Sequence, residues 1–228
     1  MTRAIRALIF DMDGLLVDSE PLAAKAMAEF LAQYGHTPRA DVAAKLLGRR
    51  LPDAVAIVRE AYGLSEPIDV LARQYSAMRL AALRGNLRPM PGAVEVISFA
   101  REAGLRMALA TSSAREQANV ALAEAGLAGC FDTEVTGDEV ERGKPAPDLF
   151  LTAASRLDVP PEACAVLEDS PLGIEAALEA GMRAIAVPNE RTAALPFPPG
   201  CAAMLPDLHA AIAWLTEQGV SANGHRTD

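Results

Sequence analysis

The chain has 228 residues, 51% hydrophobic and 22% charged, a composition far from that of disordered segments and with enough apolar material for a self-standing core. Lys and Arg number 21 against 30 Asp and Glu, and the formal charge of −9 works against nucleic-acid backbones and anionic membrane as partners. Aromatic residues are too sparse, at 4%, to build base-stacking platforms, and three cysteines (Cys130, Cys164, Cys201) without CxxC spacing argue against a disulfide framework or a zinc site.

From the N-terminus, Ala4 to Phe10 is a short apolar run cut off by Asp11-Met12-Asp13-Gly14, the pattern of a buried strand running into a loop. Residues 21–88 then read as four successive helices, Ala23 to Tyr34, Asp41 to Leu47, Pro52 to Tyr62 and Pro67 to Leu83, punctuated by Gly35, Gly48, Gly63 and Gly85. The chain returns through Arg88-Pro89-Met90-Pro91-Gly92. Further buried-strand runs follow at Leu105 to Ala110, Phe131 to Val135, Cys164 to Leu167 and Arg183 to Val187, with room for a helix between each pair. Alternating strands and helices predict an α/β, doubly wound parallel sheet. Its core takes residues 1–20 and 89–228, and residues 21–88 form a helical cap inserted after the first strand. Ligands of such sheets bind beyond the carboxyl ends of the strands, where the cap is placed to cover them. The tail after Gln218 is small and polar and is expected to fray.

Four strand ends carry chemistry. Asp11 and Asp13 leave the first, with Gly14 permitting a sharp turn; a solvated turn is the plain alternative, although Leu15-Leu16-Val17 continues in apolar residues. Thr111-Ser112-Ser113 follows the second and suits either a phosphate cradle or an ordinary helix cap. Lys144, one of only three lysines, stands between Gly143 and Pro145 after the third. Glu168-Asp169-Ser170 follows the fourth, either capping a helix or completing a cation site with the first pair. Together, carboxylates, hydroxyls and an ammonium on one sheet edge make equipment for phosphoryl transfer with a hard divalent cation such as Mg²⁺.

Phe10-Asp11-Met12-Asp13-Gly14, Thr111, Lys144 and Glu168-Asp169, in that order around a helical insertion, resemble the haloacid dehalogenase superfamily with a helical cap of the first type. Gly143 to Phe150 and Leu167 to Ser170 are similar to the branch of sugar-phosphate phosphatases, pseudouridine-5′-phosphatase and β-phosphoglucomutase. The resemblance implies a Rossmann-like core in which Asp11 is the nucleophile and Asp13 the general acid/base. It implies Mg²⁺ held by Asp11, the carbonyl of Asp13 and Asp169, with Glu168 a further ligand or a neighbour of one. It also implies phosphate held by Thr111 and Lys144, with Ser112 beside them.

Within that superfamily, Asp13 and Asp169 favour phosphoryl transfer over dehalogenation. Arg49 and Arg50 stand where phosphonatases carry a Schiff-base lysine, and stay protonated. The mutase pattern has a histidine twelve residues after the nucleophile, and here that position is Ala23. The expectation is a Mg²⁺-dependent phosphatase acting on a small phosphate ester, a sugar phosphate or a relative of a nucleoside monophosphate. Mutase activity or a catalytically inactive binding module are the alternatives. Arg49 and Arg50 are expected at the substrate mouth unless merely solvated. A monomer is expected, cytoplasmic, with no nucleic-acid or membrane partner, since no apolar run approaches ~18 residues.

Overall fold

The computed structural model describes residues 4–222. Six parallel strands form one sheet in the order β3-β2-β1-β4-β5-β6: β1 Ala7–Phe10, β2 Arg106–Ala110, β3 Thr133–Val135, β4 Cys164–Glu168, β5 Arg183–Ala186 and β6 Ala203–Met204. This is the expected doubly wound α/β sheet. β1 lies centrally between β2 and β4, with Phe10 level with Leu109 and Leu167, so three motif-bearing strand ends leave the sheet side by side. The switch in strand order falls at this same place, where the crossover helices separate to opposite faces and leave a crevice.

The period-two alternation of a strand divides β1 between two cores. Leu8 and Phe10 pack with Leu109 and Leu167 beneath α5 (Ala93–Glu102), α6 (Arg115–Glu124) and α9 (Leu208–Glu217). Ala7 and Ile9 pack with Ala108 and Val166 beneath α7 (Asp148–Leu157) and α8 (Pro171–Glu179). Both faces are covered, which is why these strands read as unbroken apolar runs.

Four helices precede α5: α1 Glu20–Ala32, α2 Ala40–Leu46, α3 Leu51–Tyr62 and α4 Ile68–Leu83. They have a core of their own, in which Phe30 is fully buried against Tyr34 and Tyr75, at ring distances of 5.3 and 5.6 Å, with Leu31, Val55, Val58 and Leu71. Two chain crossings join this unit to the sheet, and they pair with each other: Asp18 N donates to Arg88 O and Met90 N to Leu16 O.

Two expectations need correction. A sixth strand, β6, was not expected: of the short apolar run Cys201 to Leu205 between Gly200 and Pro206, Ala203 and Met204 pair with Ile185 and Ala186. Fraying does not begin at Gln218: Val220 is buried in the core under α9, and its amide donates to Leu215 O. Residues 223–228, the rest of that predicted tail, lie outside the described residues.

Candidate active site

Asp11 leaves β1 buried, with its amide bonded to Leu167 O. Its Oδ1 accepts from Lys144 Nζ at 2.5 Å, and the same ammonium reaches Glu168 Oε1 at 2.6 Å. Lys144 comes from the loop before α7 and lies 5.1 Å from the centre of the Phe150 ring; its peptide bond to Pro145 is cis. Glu168 ends β4, and its second oxygen accepts from Ser170 N at 2.6 Å. Gly173, in the first turn of α8, is required by this packing, since a Cβ there would stand 1.6 Å from Glu168 Oε1. Ser170 caps α8, its Oγ accepting from Gly173 N, so neither Glu168 nor Asp169 is spent on the capping role.

Asp169 completes a buried cluster in which Asp11, Glu168 and Asp169 each bring a carboxylate oxygen within 4.8 Å of the others. Three carboxylates against one ammonium leave an unbalanced negative charge out of water. Burial, only partly offset by Lys144 and aided by the charge of Glu168, raises the Asp11 pKa to about 7. Burial and the charges of Glu168 and Asp11 likewise push Asp169 well above the carboxylate range. Lys144 resists its own burial because Asp11 and Glu168 hold it charged, above the ordinary lysine value. An oxygen-only donor set with surplus negative charge fits a hard divalent cation of the Mg²⁺ kind.

Asp13 faces away from this cluster, towards the helical unit. Ser19 Oγ donates to its Oδ1 at 2.5 Å, Ser113 Oγ to its Oδ2 at 2.6 Å, and Arg79 Nη2 to Oδ1 at 3.0 Å. Burial works to raise its pKa, but the Arg79 charge and the two hydroxyl donors prevail and hold it below the usual value. The Thr111-Ser112-Ser113 hydroxyls do not cap α6, whose N-cap is Ala114. Thr111 Oγ1 accepts from Ser113 N inside the site, and Ser112 Oγ reaches across to Gly48 O of the loop between α2 and α3 at 2.8 Å.

Between the sheet edge and the helices lies a cavity of about 160 Å³. Asp13, Glu20, Ser112, Ser113, Arg49, Arg79 and Arg191 are among its polar lining, and Ala23, Met27, Leu47 and Leu51 are among its apolar wall. Arg49 lies in the cavity lining. Arg50 does not: its guanidinium pairs with Asp53 and donates from Nη1 to Val140 O and Glu141 O, each at 3.0 Å, on the loop that leads to Lys144. Gly143 leaves room for it, since a Cβ there would stand 2.6 Å from its Nε. The expectation that Arg50 meets substrate is corrected to a contact between the helical unit and the core.

Sequence reasoning missed Arg79, a mid-helix residue of α4 with no motif around it, whose buried Nε has no hydrogen-bond partner among the described residues. It also missed Asn189, beyond β5, which donates to Asp169 Oδ2 at 2.7 Å.

The model of the haloacid dehalogenase-like hydrolases matches residues 5–181. The chain belongs to this family. It is 33% identical over 181 residues to a phosphorylated carbohydrates phosphatase of Thermotoga maritima, covering 79% of this chain and 84% of that one. It is 36% identical over 195 residues to a probable pseudouridine-5′-phosphatase of Drosophila melanogaster, covering 83% and 84%. Among solved structures, CbbY from Rhodobacter sphaeroides in complex with phosphate superposes with a TM-score of 0.81 at 29% identity, over 90% of this chain and 95% of that one. The chain is a phosphoric monoester hydrolase of the family. No helix among the described residues is long and apolar enough to cross a membrane.

Proposed function

We propose that the chain is a Mg²⁺-dependent phosphatase of a small phosphorylated metabolite, working through a phosphoaspartate on Asp11. The observation that carries the reading is the separation of two carboxylates two residues apart. Asp11 is buried against Lys144 beside Glu168 and Asp169, while Asp13 is turned into the cavity among hydroxyls and Arg79. One is placed for phosphorus and the other for the leaving group.

Asp11 attacks phosphorus, the bond to the leaving oxygen breaks, and Asp13 gives that oxygen a proton. Asp13, now a carboxylate, takes a proton from water as the water attacks the phosphoaspartate; the bond from phosphorus to Asp11 breaks, inorganic phosphate leaves, and Asp11 is regenerated with Asp13 protonated for the next turnover. The anionic form needed in this second half is the one that Arg79, Ser19 and Ser113 favour. Lys144 offsets the charge of Asp11 and is placed to meet phosphate oxygens together with Thr111 and the Ser112 amide. Asp11, Asp169 and the carbonyl of Asp13 would hold Mg²⁺, with Glu168 beside them; when bound it neutralises phosphate charge and orients the ester.

Residues 21–88 act as the cap and residues 1–20 and 89–228 as the core. The cap supplies the part of the cavity that distinguishes one leaving alcohol from another, and about 150 Å³ is room for a group of one six-membered ring. That size suits a sugar phosphate or the sugar end of a nucleotide-like ester. Ala23 lines the cavity with a methyl group, which supports water as the acceptor in place of a second sugar.

The test is phosphate release from an aryl phosphate with and without Mg²⁺, followed by phosphorylated sugars, nucleotides and phosphoglycolate compared by kcat/KM. Activity should vanish on chelation and return with Mg²⁺, with Ca²⁺ a poor substitute because of its looser shell. Asp11→Asn should be folded and inactive. Full activity after exhaustive chelation, or in freshly purified Asp11→Asn, would refute the reading.

A further inference from the structure

The loop after β5 carries a side chain whose orientation is fixed from both ends. Asn189 Oδ1 accepts from Arg191 N at 2.9 Å and Thr192 N at 3.2 Å, closing a tight turn, and Asn189 N donates to Thr192 Oγ1 at 3.0 Å. Thr192 is fully buried, so the turn has a firm base. With the amide oxygen occupied by donors, the amide nitrogen has to face the other way. There it donates to Asp169 Oδ2 at 2.7 Å and Gly14 O at 3.1 Å. β4 and β5 pair with Glu168 level with Ala186, so Asp169 and the loop bearing Asn189 leave neighbouring strand ends. Gly14 belongs to the same contact: at φ +80° it brings its backbone so close that a Cβ would stand 2.7 Å from both Asn189 Nδ2 and Asp169 Oδ2.

We propose that Asn189 is a positioning residue of the cation site, tying the Asp169 carboxylate to the Asp13-Gly14 turn so that both present oxygen to one ion. The inference rests on the reading of Asp11, Asp13 and Asp169 as the cation site. One oxygen of Asp169 is taken by the amide, which fixes the rotation of the carboxylate and presents the other oxygen. The bond to Gly14 O fixes the turn that carries the Asp13 carbonyl. Without Asn189 the two segments have to be ordered by the ion itself, and the cost appears as weaker binding. Hydrogen-bond partners of metal ligands act in this way, and their loss typically weakens metal affinity by about 10- to 100-fold.

The experiment is titration of the whole protein with Mn²⁺ alone, followed by the electron paramagnetic resonance signal of the free ion. Asn189→Ala should weaken Mn²⁺ binding by about 10- to 100-fold. In turnover it should raise the Mg²⁺ concentration needed for half-maximal rate by a similar factor, with kcat largely restored at saturating Mg²⁺. Thr192→Val removes the Oγ1 acceptor of Asn189 N but keeps both backbone donors on Oδ1 and the Nδ2 bond to Asp169, and should bind Mn²⁺ within about twofold of the parent. Equal affinity of Asn189→Ala and parent would overturn the inference while leaving the cation site intact. Equal weakening by both variants would overturn it in favour of a role for the loop fold. A parent protein that binds no Mn²⁺ would instead remove the cation site on which the inference rests. Should Asn189→Ala not fold, the side-chain amide resonance of Asn189 in the ¹⁵N-labelled parent decides: it should shift with Mg²⁺, and an unmoved resonance at saturation would overturn the inference.

Discussion

Replacing Arg50 by Ala deletes the guanidinium that crosses from the helical unit to the Val140 and Glu141 carbonyls while leaving the cavity lining untouched. Hydrogen bonds from a charged group contribute about 1.5–3 kcal/mol each when formed in protein. Arg50 is only 19% exposed here, but an open cap would return its guanidinium to water and keep its pairing with Asp53. A net preference for the closed arrangement of about 2 kcal/mol is therefore reasonable, roughly 30-fold in the closed-to-open ratio. If turnover requires closure, kcat/KM should fall by up to that factor for every substrate, acetyl phosphate included, because closure precedes any contact with the leaving group. Small-angle scattering or a fluorescence pair across cap and core should report the open form more populated. Arg50→Lys, which keeps charge but not the paired N–H geometry, should fall between. An undiminished rate with acetyl phosphate alongside a large loss on the preferred sugar phosphate would refute the latch and restore a direct substrate contact.

Arg79→Met should leave the Asp13 carboxylate buried with only its two serine donors. Breaking such a pair costs about 3 kcal/mol, or roughly 6–12 °C in Tm for a chain of this size. The deficit should depend on pH. In the parent, Asp13 titrates below its ordinary value and its stabilisation is present at neutral pH, being lost only as the pH falls through that depressed pKa; in the variant the pKa rises, and protonation relieves the penalty. The Tm gap should narrow from pH 7 to pH 4, and a constant gap in calorimetry would contradict the pairing. Glu139 is held at a pKa of about 2, below the ordinary glutamate range, because its bonds to Thr136 N, Arg115 and Arg156 outweigh its partial burial. Its stabilisation is present above about pH 4.5 and lost towards pH 2, so Glu139→Gln should be less stable at pH 7 and converge with the parent near pH 2. After discount for solvent the difference is about 1 kcal/mol, read by urea unfolding at the two pH values; parallel curves would rule it out.

Five of the six strands, and the acids and the lysine that gather at the candidate site, were legible in the linear chain because each is a local event. A buried parallel strand has to be apolar throughout, and the abrupt break from Leu8-Ile9-Phe10 into Asp11 marks its carboxyl end without any knowledge of neighbours. Thr111, Lys144 and Glu168-Asp169 announce themselves in the same way, and the sheet order then brings them together. The four helices α1 to α4 were legible as segments punctuated by glycines. Which of their faces meets the core was not. Arg49 and Arg50 are adjacent and chemically alike, yet the chain's turn into α3 sends one to the cavity and the other to the carbonyls of residues 140 and 141. Arg79 is an ordinary mid-helix arginine until α4 packs on α1 and delivers it to Asp13, 66 positions away. Asn189 and Asp169 lie 20 positions apart and meet only because β4 and β5 are neighbours in register. β6 lies in a short apolar run, Cys201 to Leu205, of which only the two residues that pair with β5 become strand. Strand ends are written in the order of residues, whereas the partners of a charged side chain depend on how separate elements dock, and that is settled by packing far along the chain.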